Sequence, residues 1–195
     1  MHKSRFVIRL NIAGMLLFLF GFQTIMSQGS NTLNDYGLPV FPGVTGFGLT
    51  TKGGQGGTII KVTNLNMSGP GSLAEAIETH GPRIVVFEVG GVIDLQGSSI
   101  TINRPEITIA GQTAPSPGIS LIKGGIIIGT HDVIIQHIRI RAGEAGRAKN
   151  SGWDVDGMTT SDGAYNVIID HCSSCWATDE NLSASGSQFK GKTLQ

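Results

Sequence analysis

Short apolar runs, each closed by Gly, Pro or Asn, recur along this chain from Thr58 onward. Thr58-Ile-Ile-Lys-Val-Thr63 is the first; it is β-branched and too short for a stable helix, so it predicts a strand. Arg83-Ile-Val-Val-Phe-Glu-Val89, Gly91-Val-Ile-Asp-Leu95 and Ile100-Thr-Ile102 repeat the same form. One segment departs from it. Ser72-Leu-Ala-Glu75 follows a Gly-Pro-Gly turn and has the Ser/Glu spacing in which each side chain bonds the other's backbone N–H, which predicts a helix from Leu73 to about Thr79. Residues 41–57, FPGVTGFGLTTKGGQGG, are too rich in glycine for a regular element.

The middle of the chain is quasi-repetitive: EITIAG (106–111), GISLIKG (118–124), GIIIGT (125–130), DVIIQHIRIR (132–141) and NVIIDHCSSC (166–175). Asp132 to His137 aligns with Asn166 to His171 at a step of 34 residues, and Ile107 aligns with Val133 at a step of 26. Unequal steps are foreign to a propeller and natural to a coil whose turns carry insertions. In such a coil every turn adds strands parallel to those of the turn before, inward Ile and Val stack into a continuous core, and polar residues alternate outward. The helix at 73–79 then belongs to a cap over the open end, where it blocks edge pairing. A sandwich is the competing architecture, but the Asp-Gly pairs at 156–157 and 162–163 do not sit as hairpin turns between long alternating strands.

Composition sharpens this picture. The 29 glycines and a charged fraction of only 14% suit short strands joined by tight turns, and 14 Lys+Arg against 14 Asp+Glu leave no basic field to draw nucleic acid or anionic lipid. Residues 1–27 carry His2, Lys3, Arg5 and Arg9, then an apolar run from Ile12 through Phe22, then small and polar residues. That is the layout of a secretory signal cleaved near Ser27, since Asn11, Gly14, Gly21 and Gln23 interrupt the run a spanning helix needs; the alternative is an uncleaved anchor. The expected mature protein is a secreted, soluble monomer with no membrane contact after signal cleavage, and its body of about 165 residues is enough for one core.

The blocks FPGVTGFG (41–48), GGTIIKVTNLNMSGPGSLAEAI (56–77), PRIVVFEVGGVIDL (82–95), ITIAGQTAPSPGISL (107–121) and NVIIDHCSSCWATDENLS (166–183) resemble, in order, those of the pectate lyases. The pairing of AGQTAP with IIDHCSxxWxTDE carries the resemblance, which covers residues 40–186. It implies an all-β, right-handed parallel β-helix with an N-terminal capping helix over 40–195, exported, acting on polygalacturonate by β-elimination with Ca2+. The family's base is an arginine in a segment later than IIDHCS, so the expectation is that this sequence stops at Gln195 before it, leaving the domain incomplete and no catalytic residue to name.

The resemblance also implies a calcium site. Asp154 and Asp156, at i, i+2 just before NVIIDH, stand where calcium-dependent members carry an acidic pair. Aligning on Gly186 puts Asp179 at the next ligand position, with Glu180 beside it, and Ser183 where many members have Asp. Arg139 and Arg141 share one strand face, where they contact sugar carboxylates or make rung-edge ion pairs; Trp153 offers a surface for substrate stacking, and Trp176 is a second candidate surface. Asp170 and His171 are strand neighbours and point to opposite faces, which argues against a dyad. Cys172 and Cys175 form C-x-x-C with no second pair for zinc, and on one strand they lie too far apart for a disulfide. The other readings are a non-catalytic carbohydrate-binding coil or adhesin, and a hydrolase working through two carboxylates.

Overall fold

Side chains that alternate inward and outward along three-to-six-residue strands cannot bury their apolar set in one layer, and here successive turns of chain bury it by stacking. The computed structural model describes residues 41–184 apart from 45, 47, 149, 150 and 162, so the signal-like segment 1–27 lies outside the described residues. Thirteen strands run through them: β1 (Thr58–Val62), β2 (Arg83–Phe87), β3 (Gly91–Asp94), β4 (Ile100–Ile102), β5 (Ile107–Ala110), β6 (Ile119–Ile122), β7 (Ile126–Ile128), β8 (His131–Gln136), β9 (Ile138–Arg141), β10 (Met158–Thr160), β11 (Tyr165–Asp170), β12 (Ser173–Cys175) and β13 (Leu182–Ala184). They form three sheets, in the orders β1-β2-β5-β8-β11, β3-β6-β9-β12 and β4-β7-β10-β13, and every pairing is parallel. From β2 onward each turn of the coil contributes one strand to each sheet, and β1 adds one more strand to the first, which is the arrangement of a parallel β-helix.

The register follows the repeats. Ile107 pairs with Val133 and Val133 with Val167, the steps of 26 and 34 residues visible in the sequence. Ile107, Val133, Ile109, Ile135, Ile119, Leu121, Ile138 and Ile140 are essentially unexposed and form one continuous column. The 132–141 run is not one strand. It bends at His137 (φ +54), which turns the chain from the first sheet into the second, and His171 (φ +51) makes the same bend one turn later. The two imidazoles stack with centroids 4.9 Å apart.

That bend corrects the expectation for Asp170 and His171. Because the strand ends at Asp170 and His171 takes a left-handed conformation, the strict up-and-down alternation stops, and His171 Nδ1 lies 2.8 Å from Asp170 Oδ1. Asp170 also accepts from Gln136 Nε2 at 3.0 Å, and Gln136 in turn accepts from Gln112 Nε2, so the pair ends a polar ladder along the outside of the corner.

The helix α1 (Leu73–Glu78) begins as its cap predicts: Ser72 Oγ accepts from Glu75 N–H at 3.2 Å. The return bond differs from expectation, because Glu75 Oε2 takes the N–H of Gly71 and not that of Ser72. Leu73, Ala76 and Ile77 are buried against the first turns of the coil. Below the helix, Arg83 is fully buried and donates to the carbonyls of Ala76, Ile77, Gly81, Arg104 and Pro105, closing the helix C-terminus onto two turns of coil.

Candidate functional site

The acids singled out in the sequence lie along the third sheet. Met158 pairs with Leu182, so residues two positions earlier on each turn, Asp156 and Glu180, come one above the other just before β10 and β13. Gly157 N–H donates to Glu180 O at 2.9 Å and Met158 N–H to Asn181 O at 3.1 Å, drawing the turns together. Gly157 is required there: a Cβ would meet Ser174 Oγ at 1.9 Å and Asn181 O at 2.6 Å. With the turns so close, carboxylate oxygens of Asp156, Asp179 and Glu180 all lie within 4.8 Å of one another.

Charge in this group is unevenly supported. Burial works against the anion of Asp156, but Ser183 Oγ at 2.9 Å and the Glu180 N–H at 3.1 Å outweigh it and hold the carboxyl below its usual range. Glu180 goes the other way: hydrogen bonding to Asp179 and then to Asp156, with their negative charges nearby, pushes its carboxyl up to about 7. The rise in Glu180 therefore has its source in the crowding of three carboxylates with few donors among them. Ser183 Oγ also lies 2.7 Å from Thr159 Oγ1, so this serine ties Asp156 to β10.

Of the four predicted acids, the structure brings together Asp156, Asp179 and Glu180 and leaves Asp154 out of the group. Asp154 is exposed and lines a neighbouring groove of about 640 Å³ between the 143–154 excursion and the turn at 176–178. Trp153 is in the same groove, its Nε1 donating to Gly143 O at 3.1 Å and its ring covered by the Arg147 guanidinium at 4.9 Å. Trp176 lines the other side. Arg139 and Arg141 are on the outward face of the second sheet. Arg139 donates to Ser120 Oγ and Pro117 O; Arg141 donates to Ile140 O, Ser173 O and Ser173 Oγ and stands 5.9 Å from the Trp176 ring. Cys172 and Cys175 are both free thiols, and burial raises the pKa of Cys172. Sequence reasoning did not single out Arg147; it sits in a Gly-rich excursion whose spacing signals nothing.

These blocks are shared with known proteins. Proteins described as probable pectate lyase C from Emericella nidulans and from Aspergillus oryzae are each 44% identical to this chain over 150 residues, 76% of this chain and 34% of theirs. The chain belongs to the pectate lyase family. It spans about a third of the length of these pectate lyase relatives, 34%. A probable pectate lyase C of Aspergillus fumigatus is 42% identical over the same share. No family model matches the sequence. Among solved structures, that of Jun a 1, the major allergen from cedar pollen, superposes with a TM-score of 0.56 at 23% identity, covering 72% of this chain and 44% of that one. This likeness bears on the fold and agrees with a parallel β-helix. Among the described residues no helix is long and apolar enough to cross a membrane.

Proposed function

We propose that this coil is the calcium-bearing part of an exported pectate lyase that cleaves polygalacturonate by β-elimination. The observation that carries the reading is the meeting of Asp156, Asp179 and Glu180 on two stacked turns of a chain 44% identical to probable pectate lyases. The donor set fits a hard divalent cation: it offers carboxylate oxygens and neighbouring hydroxyls, with no imidazole or thiolate in the group. Hydrogen bonding to Asp179 and Asp156 and their negative charge raise the Glu180 carboxyl to about 7, and a divalent ion among the three would offset that repulsion.

In this reading Asp156 is the anchoring ligand, because Ser183 and the Glu180 N–H keep it ionised and oriented. Asp179 and Glu180 complete the protein's share of the cage, and Glu180 gives up its proton as the site fills. The bound ion supplies neutralisation of the uronate carboxylate, which lowers the cost of removing the proton on the adjacent carbon. Asp154 lies beside the cage, toward the groove. The base is not assigned to any described residue. The 1–27 layout supports export.

The test is the full-length protein on polygalacturonate, following the ultraviolet absorbance of the unsaturated product with calcium and with chelator. Product that appears only with calcium, and is lost in Asp156→Asn, is the expected result. New reducing ends without unsaturation would replace the lyase with a hydrolase, and retained polymer binding with no product would leave a carbohydrate-binding coil.

A further inference from the structure

We infer that the groove between Trp153 and Trp176 is a saccharide subsite adjoining the acidic cage, in which Trp176 stacks on a sugar ring and Arg147 reads the carboxylate of a uronate unit. The inference rests on the lyase reading for the identity of the polymer, and on the groove itself for the rest.

Trp176 is 69% exposed, among the most exposed large apolar side chains of the described residues, although its backbone is tightly held. It sits at φ +64, a conformation uncommon for a bulky residue, and its carbonyl accepts from Gly143 N–H at 2.8 Å. Arg141, tied to Ser173 through both terminal nitrogens, lies 5.9 Å from the ring. The backbone that carries the indole is held while the ring itself stays presented to solvent, so a sugar face can stack on it without displacing protein groups.

Across the groove, Arg147 lies over Trp153 at 4.9 Å and forms no ion pair among the described residues. Its guanidinium is positioned by the indole while its N–H donors stay available, the arrangement that suits bidentate recognition of a carboxylate. The acids of the groove, Glu144 and Asp154, offer acceptors for sugar hydroxyls. A uronate presents both groups, a carboxylate for the arginine and hydroxyls for the acids, together with an apolar ring face for Trp176.

Position links the groove to the cage. Val155 N–H donates to Thr178 Oγ1 at 3.0 Å and Thr178 N–H to Val155 O at 3.2 Å, locking the two segments that contribute Asp154 and Asp156 on one side and Trp176 and Asp179 on the other. Only Ala177 and Thr178 lie between Trp176 and Asp179, so at most about 11 Å of chain separates the stacking residue from the acids. One polymer can therefore occupy both.

The experiment is titration calorimetry of the protein with an oligogalacturonate of defined length and with a neutral oligogalactan of the same length, in chelator so that the cage contributes no metal. Trp176→Ala is expected to weaken oligogalacturonate binding about tenfold, with Trp176→Phe recovering most of it. Arg147→Gln is expected to weaken the acidic oligomer by about tenfold and to leave the neutral one unchanged. Thermal midpoints of all variants check that the coil stays folded. If the oligomer binds and neither variant alters its affinity, the groove is not a subsite and the lyase reading stands. If neither oligomer binds, the subsite falls; calcium-dependent elimination, measured separately, then decides the lyase reading. If groove-dependent affinity is confined to the neutral oligomer, the uronate assignment is overturned.

Discussion

Arg83 and the Asp156–Asp179–Glu180 group lie toward opposite ends of the described stack, and they handle charge in opposite ways. Arg83 is out of contact with water, yet its guanidinium meets five backbone carbonyls, and only its surroundings pull its pKa down: burial first, then Arg104, with Glu78 opposing. The three acids are closer to water but poorer in donors, since Ser183 and one N–H serve Asp156 while Glu180 is raised by its carboxylate neighbours Asp179 and Asp156. A charge whose hydrogen-bonding capacity is consumed inside the protein is part of the scaffold. A cluster left with unused acceptors and surplus negative charge stays open to water or to a cation, and on the calcium reading that asymmetry separates scaffold from site.

The most severe way to break the comparison is Arg83→Met. The thioether fills part of the space but donates nothing, so carbonyls from α1 and from two turns of the coil lose their partners at once. The expected loss is on the order of 3 kcal/mol or more in denaturant unfolding. A loss below about 1 kcal/mol would mean the carbonyls find water, and that the cation is not what closes this end.

At the other end, calcium should do for the acids what the carbonyls do for Arg83. At one hundred times its dissociation constant, a ligand bound only by the folded state adds about 2.7 kcal/mol. The thermal midpoint is therefore expected to rise with calcium in the parent protein and to stay flat in Asp156→Asn. An equal rise in both would place the ion elsewhere.

The pH dependence sharpens the same point. Glu180 has its carboxyl raised from 4.5 to about 7, so the calcium-free protein holds a proton there across that window and is relatively destabilised as pH climbs through 7 and the proton leaves. Calcium must displace that proton. Its apparent affinity is expected to be level above pH 7 and to fall about tenfold per unit as pH drops from 7 toward 4.5. In Glu180→Gln the slope over that window should vanish. Asp156, held low by its donors, titrates well below it and contributes stability that is lost only in stronger acid.

Much of the coil was legible because it repeats. Ile107, Val133 and Val167 carry the register in their spacing, and Ser72 announces the start of α1. What alternation cannot convey is where a strand turns a corner: His137 and His171 leave it through positive φ, and so Asp170 meets the histidine that a straight strand would have pointed away. Arg83 was hidden for a different reason, since it begins an apolar strand in a pattern that gives no sign of five converging carbonyls. Of the acids, Asp156, Asp179 and Glu180 meet because the last two turns are 24 residues apart in register, from Met158 to Leu182, a step too irregular to read from the repeats. Arg147 and Trp176 share a groove only because the 143–154 excursion folds back beside the 176–178 turn.

Asp170 supplies the mildest test, because it is an acid that already has its partners. Gln136, first, and then His171 hold its carboxyl below the usual range against the cost of burial. It stands at the end of the Gln112–Gln136 ladder, and the His171 it meets is largely exposed. Asparagine keeps an oxygen to accept from Gln136 and puts an amide NH2 where the second oxygen meets His171, at a largely exposed imidazole that water can serve instead. Asp170→Asn is expected to cost less than about 1 kcal/mol in denaturant unfolding and to leave the calcium-induced rise in midpoint intact. The same substitution at Asp156 should abolish that rise, although both are single carboxylates near the last described turns. If Asp170→Asn also removes it, the binding of calcium follows the total negative charge of this face, and the convergence of three underserved carboxylates is not what selects the ion.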